Sequence, residues 1–274
     1  MDDGAGLGPE VESHYAGGYE QVRLTEREAP LELVRTQHIL QHRLAPPPGR
    51  ILDIGGGPGV YAAWLARNGY EVDLLDALSL HVQQARETSS RQPDHPFQAA
   101  LGDARSLPYE EASADAVLLL GPLYHLTERE DRVQALREAG RVLKPNGSVF
   151  AAVISRFASL WDGLRRGFLD DPLFWEIVEG DLRTGQHRNP ENNPAYFTTA
   201  FFHRHQDLAD EVRDAGLILD RIVSIEGPGW LLPNPEDWWR DDRRRETLLR
   251  LIEMTEEEPA LFGATSHLMA IAHP

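Results

Sequence analysis

The chain is predicted to fold as an α/β protein built on one open, mostly parallel sheet with helices on both faces. Three observations predict it. Short apolar runs alternate with helix-length amphipathic segments from residue 50 to residue 154. The first run meets the first helix in a glycine-rich turn, DIGGGPG at 53–59. The length, 274 residues, suits one large α/β domain carrying an insertion.

Residues 31–44 place Leu33, Val34, Ile39, Leu40 and Leu44 at helical spacing, and Pro46, Pro47, Pro48 and Gly49 stop that helix. Strand one follows at 50–54. A helix from 60 to 68 closes at Gly69, strand two takes 71–75, and the next helix takes 78–88. Strands three and four fall at 97–101 and 115–120. Residues 129–143 gather Val133, Leu136, Ala139, Val142 and Leu143 on one side of a helix. KPNG at 144–147 ends it and turns into strand five, 148–154. Strands alternating with helices at this spacing imply right-handed crossovers, so the strand C-terminal ends share one rim.

Residues 155–205 break the alternation. Trp161, Phe168, Phe174, Trp175, Tyr196, Phe197, Phe201 and Phe202 lie among turn-rich pieces such as RNPENNP, which reads as an insertion. A helix at 206–215, a strand at 217–225, the loop EGPGWLLPNP, a helix at 243–254 and a terminal strand at 266–272 complete the chain. Residues 1–30, acidic and glycine-rich at their start, read as a flexible N-terminal segment, and 31–274 as the domain.

Composition narrows the function. A formal charge of −17 opposes a nucleic-acid partner, and the sole lysine is Lys144. There is no cysteine, hence no disulfide and no thiol chemistry, which fits the cytoplasm. No run of eighteen apolar residues offers a membrane span, and 1–13 lack the basic and apolar regions of an export signal.

The turn reads Gly55-x-Gly57-x-Gly59. Val60 stands where a dinucleotide fingerprint has its third glycine, and Pro58 removes an N–H that a phosphate would use. Asp53 would repel a phosphate but suits a ligand with an ammonium group. The turn therefore favours a nucleoside without phosphates. Asp76, twenty-one residues after Gly55, has two readings: acceptor of both ribose hydroxyls, or cap of the next helix. Asp103, just past strand three, either accepts from an adenine amine while the Ala104 N–H meets a ring nitrogen, or is a turn aspartate.

DIGGGPG, then LLDAL, GDARSLPY, DAVLLLGPLYHL and LREAGRVLKPNGSVFAAVI resemble, in order and spacing, the class I S-adenosylmethionine-dependent methyltransferases. The resemblance implies a Rossmann-like seven-stranded sheet in the order 3-2-1-4-5-7-6, last strand antiparallel, with a lid-like insertion after strand five. It implies S-adenosylmethionine as cofactor and S-adenosylhomocysteine as product. Gly55 and Gly57 would face the methionine part, Asp53 its amino group, Asp76 the ribose, and Asp103 with Ala104 the adenine. Leu120 and Gly121 would pass under the sulfonium, and Tyr15, Tyr19 or Arg23 would close over the cofactor carboxylate.

Methyl transfer from a sulfonium is an in-line displacement with an activated leaving group. Alignment and desolvation do most of the work, and a base is required only for an acceptor that arrives protonated. The sequence accordingly names no catalytic residue. Tyr124 and His125 follow the cofactor-facing turn and either reach the acceptor or, for His125, pack beneath the adenine or cap the next helix. Trp161, with the other aromatics of the insertion 155–205 and Trp230, either forms a substrate lid over the strand ends or packs as a subdomain core. His203, in HRH, reads as a substrate-site candidate or a core histidine. His38 and His42 stand four apart without an accompanying carboxylate motif, so no metal is expected. The expected partner is a small-molecule methyl acceptor, with no nucleic acid and no membrane. The competing function is a non-catalytic binding partner or regulatory subunit that keeps the cofactor pocket. Acceptor identity and oligomeric state are not written in the sequence.

Overall fold

The computed structural model describes residues 8–15, 30–193 and 195–274. In chain order the elements are α1 (Pro9–Tyr15), α2 (Leu31–Arg43), β1 (Arg50–Ile54), α3 (Val60–Arg67), β2 (Glu71–Asp76) and α4 (Ser79–Ser90). Next come β3 (Gln98–Leu101), β4 (Ala114–Leu119), α5 (Pro122–His125), α6 (Arg129–Val142) and β5 (Leu143–Ile154). The insertion holds α7 (Ala158–Arg166), α8 (Pro172–Thr184), β6 (Gln186–His187) and β7 (Ala200–Phe201). The chain finishes with α9 (His205–Asp214), β8 (Ile218–Ser224), α10 (Pro235–Arg240), α11 (Asp242–Thr255) and β9 (His267–His273).

The main sheet has seven strands in the order β3-β2-β1-β4-β5-β9-β8. Strands β3 to β5 pair parallel, and β9 runs antiparallel to both β5 and β8. This is the expected order, with β6–β7 forming a separate hairpin in the insertion. The central strands are buried on both faces, which is why β1 and β4 read as near-continuous apolar runs. Alternation sends Leu52 and Ile54 into the core beneath α6 and α9, and Ile51 into the core beneath α2, α3 and α4. Each such side chain contributes roughly 1.5–3 kcal/mol through burial.

One boundary differs from the sequence reading. KPNG does not precede β5 but bulges within it: Ala114 pairs with Leu143 and Ala116 with Ser148, so residues 144–147 loop out opposite Asp115. The Asp115 carboxylate accepts from Lys144 Nζ at 2.8–2.9 Å, which holds the bulge in place.

Within the N-terminal segment, Pro9–Tyr15 is helical, and Val11 and Tyr15 are buried. Helix α2 is tied to the far edge of the sheet by Arg35, fully buried, which donates to the Ile225 carbonyl and pairs with Glu256. The insertion has its own aromatic core, in which Phe174 lies 4.6 Å from Tyr196 and 5.2 Å from Phe168 between ring centres. No helix among the described residues is long and apolar enough to cross a membrane.

Candidate cofactor and acceptor site

The C-terminal ends of the strands open into a cavity of about 1050 Å³, counting its mouth. Its wall follows the sheet order. Gly102 and Ala104 come from the β3 end, Asp76 from β2, the glycine turn from β1, and Leu120 and Gly121 from β4. Beyond them stand Ala152 of β5, Ile225 after β8 and His267 of β9.

The glycine turn has the residues its geometry requires. Gly55 has φ +70°, and a Cβ there would stand 2.7 Å from the Pro122 ring. Gly57 has φ +56°, and its N–H donates to Asp76 Oδ2 at 2.9 Å. Both positions exclude side-chained residues through backbone conformation, and the first through space as well.

Asp76 links the glycine turn to the segment that enters α4, and it lines the cavity. Its Oδ1 accepts from the Leu78 N–H at 2.9 Å, at the start of α4, and lies 3.2 Å from His81 Nδ1, while the residue still lines the cavity. It joins the glycine turn to α4, so the turn's shape depends on it.

Asp53 is fully buried and faces the cavity, and neither carboxylate oxygen has a hydrogen-bond partner. Burial, then the nearby Asp76 charge, push its pKa up to about 7; the Ala62 N–H, which makes no hydrogen bond of full geometry, pulls weakly the other way. A buried acceptor without a partner is rare in folded proteins and marks a place where a ligand's donor belongs.

At the mouth, the Tyr15 hydroxyl of α1 lies 2.9 Å from His125 Nε2, and its ring meets that of His81 edge-on at 5.2 Å. His125 also stacks on Phe197 at 5.8 Å. Burial pushes the His125 pKa down to about 3, helped by His14 and His81 and opposed by the Thr199 backbone and Asp76. His125 is therefore neutral near pH 7. It anchors α1 over the cavity through Tyr15.

The structure gathers Asp53, Gly55, Gly57, Asp76, Ala104, Leu120, Gly121, Tyr124 and His125 around this one cavity. Three other candidates lie elsewhere. Asp103 does not line it. Arg105 grips its carboxylate at 2.6 Å, and hydrogen bonds from the Arg105 side chain and backbone outweigh burial to hold its pKa below the usual value. Trp161 is a tether instead of a wall: its Nε1 donates to the Gly263 carbonyl at 2.7 Å. His203 is fully buried beside Glu211, with Nε2 and Oε2 3.2 Å apart, in the joint between the insertion and the sheet. The sequence reading passed over Glu32, His81 and His267, which do line the cavity. His81 carried a signal, standing five residues after Asp76 on the first turn of α4. His267 carried none, because only the antiparallel β9 brings it to this rim. Tyr19 and Arg23 lie outside the described residues.

Sheet order, an antiparallel strand inserted between β5 and β8, and an acid-flanked glycine turn define the class: a methyltransferase-type α/β fold of class I. The comparisons agree. Residues 52–151 match the family described as Methyltransferase domain. The chain is similar to Methyltransferase GfsG of Streptomyces halstedii, 30% identical over 174 residues, covering 61% of this chain and 58% of that protein. It is also similar to the ubiquinone/menaquinone biosynthesis C-methyltransferase UbiE of a Ruegeria species, 29% identical over 153 residues, covering 53% and 59%. It thus spans less than two thirds of the length of either relative. Among solved structures, a SAM-dependent methyltransferase from Methanosarcina mazei aligns over 85% of this chain and 95% of its own, with a TM-score of 0.56 and 21% identity. The match of residues 52–151 and the fold agree with the class I S-adenosylmethionine-dependent methyltransferases, and S-adenosylmethionine is the cofactor they imply.

The residues present fit that cofactor. The described wall carries the carboxylates of Glu32, Asp53 and Asp76 and no lysine or arginine, which suits a ligand bearing a sulfonium and an ammonium. The unpartnered Asp53 carboxylate is the acceptor such an ammonium needs.

Proposed function

We propose that the chain transfers the methyl group of S-adenosylmethionine to a small molecule held in the same cavity. The observation that carries this reading is the buried, unpartnered Asp53 carboxylate beside a left-handed glycine turn, in a cavity whose described charged residues are all acidic.

In this reading the backbone of Gly55 and Gly57 faces the methionine part and Asp53 takes its ammonium. Asp76 takes the ribose hydroxyls, and Gly102 with Ala104 borders the adenine. Asp103 supports that border through Arg105 and does not touch the base. Leu120 and Gly121 run beneath the sulfur. The cofactor supplies an electrophilic methyl group on a good leaving group. The protein supplies alignment and exclusion of water, worth about 7–11 kcal/mol of barrier when two reactants are well oriented. Tyr15, docked through His125, narrows the mouth and keeps water from the reacting centre.

A small acceptor is supported by the largely apolar cavity and by the quinone-pathway name of one relative. The net charge of −17 works against nucleic acid as acceptor, and the lack of cysteine accords with a cytoplasmic setting. Titration calorimetry with S-adenosylhomocysteine tests the reading. One ligand per chain is expected, with binding weakened at least about tenfold by Asp53→Asn, since a hydrogen bond to a charged group is worth roughly 1.5–3 kcal/mol. No heat at about millimolar ligand, or unchanged affinity in the variant, would refute it.

A further inference from the structure

The strand order lays the cavity out in a line, with Gly102 and Ala104 at the β3 end, Asp76 at β2 and the glycine turn at β1. Helix α4 carries the chain from β2 to its parallel neighbour β3, so its first turn borders the rim between those two strands. His81 stands on that turn. It is buried on the inner face of the helix and lines the cavity.

The two ring nitrogens of His81 differ in what they meet. Nδ1 lies 3.2 Å from Asp76 Oδ1. The same carboxylate already accepts from two backbone groups, the Leu78 N–H on Oδ1 and the Gly57 N–H on Oδ2, each at 2.9 Å. With Asp76 acting as acceptor throughout, Nδ1 carries the ring proton and Nε2 keeps the lone pair. The Asp76 carboxylate and the Tyr15 ring, edge-on at 5.2 Å, together fix how the imidazole is turned. Nε2 itself is buried and has no hydrogen-bond partner. It therefore shares with Asp53 the property that marks a ligand's place, an acceptor taken out of water with nothing donated to it.

Among the donors of an adenosine, the ribose hydroxyls fall to Asp76 and the methionine ammonium to Asp53. The exocyclic amine of the adenine remains. Asp103, the residue to which the resemblance gives that amine, lies outside the cavity wall with its carboxylate held by Arg105 at 2.6 Å.

We infer that His81 Nε2 accepts the hydrogen bond of the adenine amine in place of Asp103, and that Asp76 positions it for this. The inference rests on the methyltransferase reading above and deepens it at the same site. One carboxylate then serves both halves of the nucleoside, the ribose directly and the base through His81. The site selects for a purine that bears an amine, because a purine without one leaves Nε2 buried and unpaired.

The test is titration calorimetry of the full chain with S-adenosylhomocysteine and with its analogue carrying hydrogen in place of the adenine amine. Wild type is expected to bind S-adenosylhomocysteine at least about tenfold more tightly than this analogue. In His81→Phe, which keeps a ring against Tyr15 and has no acceptor, the two ligands should bind within about threefold of each other. Asp103→Asn should keep the wild-type preference. Should His81→Phe not fold, His81→Leu serves the same comparison. Lack of a preference in wild type overturns the proposal, as does an undiminished preference in the His81 variant. A preference lost in Asp103→Asn also overturns it, by returning the amine to Asp103. So does a His81 dependence seen with the 2′-deoxy analogue and not with the deaminated one, which would place Nε2 at the ribose. Failure of wild type to bind S-adenosylhomocysteine at all instead removes the methyltransferase reading, and this proposal with it.

Discussion

Asp53 carries the most information of any single residue in the site. Its pKa of about 7 in the fold stands above its ordinary 3.8, so between those values the folded state keeps a proton that the unfolded state has released. Stability must therefore fall as pH rises through that window, by about 4 kcal/mol from this group, and level off above it. Asp53→Asn should remove that part of the slope, measured as urea midpoints at about pH 5 and about pH 8. Ligand binding has the opposite sign. An ammonium needs the ionised carboxylate, so S-adenosylhomocysteine affinity should drop about tenfold per unit as pH falls below 7. A pH-independent affinity would mean that Asp53 does not touch the ligand. The position of this residue was legible in DIGGGPG; its lack of a partner was not, because burial and neighbours exist only once β1, β2 and β4 pair. Asp103 shows the reverse case. Its sequence position is the one the family pattern implies, yet Arg105, two residues on, captures the carboxylate, a choice between partners that spacing does not decide.

At the scale of elements, the insertion is held to the sheet domain by charge as well as by aromatics. Arg132 of α6 is buried and donates from both Nε and Nη2 to Glu211 Oε1 of α9, at 2.9 and 2.8 Å. Its guanidinium lies 3.8 Å from the centre of the Phe201 ring on the β6–β7 hairpin, and Glu211 also meets His203. Burial alone would raise the Glu211 pKa, but His203 and Arg132 hold it below the usual value. Glu211→Ala strands a buried arginine, and breaking a buried pair in this way costs about 3–5 kcal/mol. Denaturant unfolding should show that loss, while Glu138→Ala, which removes a partly exposed pair with Arg141, should cost much less. A variant at Glu211 as stable as wild type would show the joint to be tied elsewhere. The helices and strands themselves were readable from periodicity. The KPNG bulge was not, since a turn signal between helix and strand looks the same whether the flanking residues pair or not.

Across the whole molecule, ligand and fold are coupled. A ligand that binds only the folded state at a hundred times its Kd adds about 2.7 kcal/mol, a rise in Tm of roughly 5–10 °C for a domain of this size. Saturating S-adenosylhomocysteine should produce that shift by calorimetry or dye-monitored melting, and an unchanged Tm at saturation would show the cavity to be unused. The chain's own order of residues determined the fold class, the glycine turn and the nucleoside side of the cavity, because strand, turn and helix there are neighbours in sequence and the turn's chemistry is local. Only the folded sheet decided the other side. His267 and Glu226 are separated by forty residues and from Asp53 by far more, and they meet at one rim because β9 runs antiparallel between β5 and β8. That reversal places the start of β9, not its end, beside the strand termini that hold the cofactor turn, and no local pattern encodes which strand a segment will lie against.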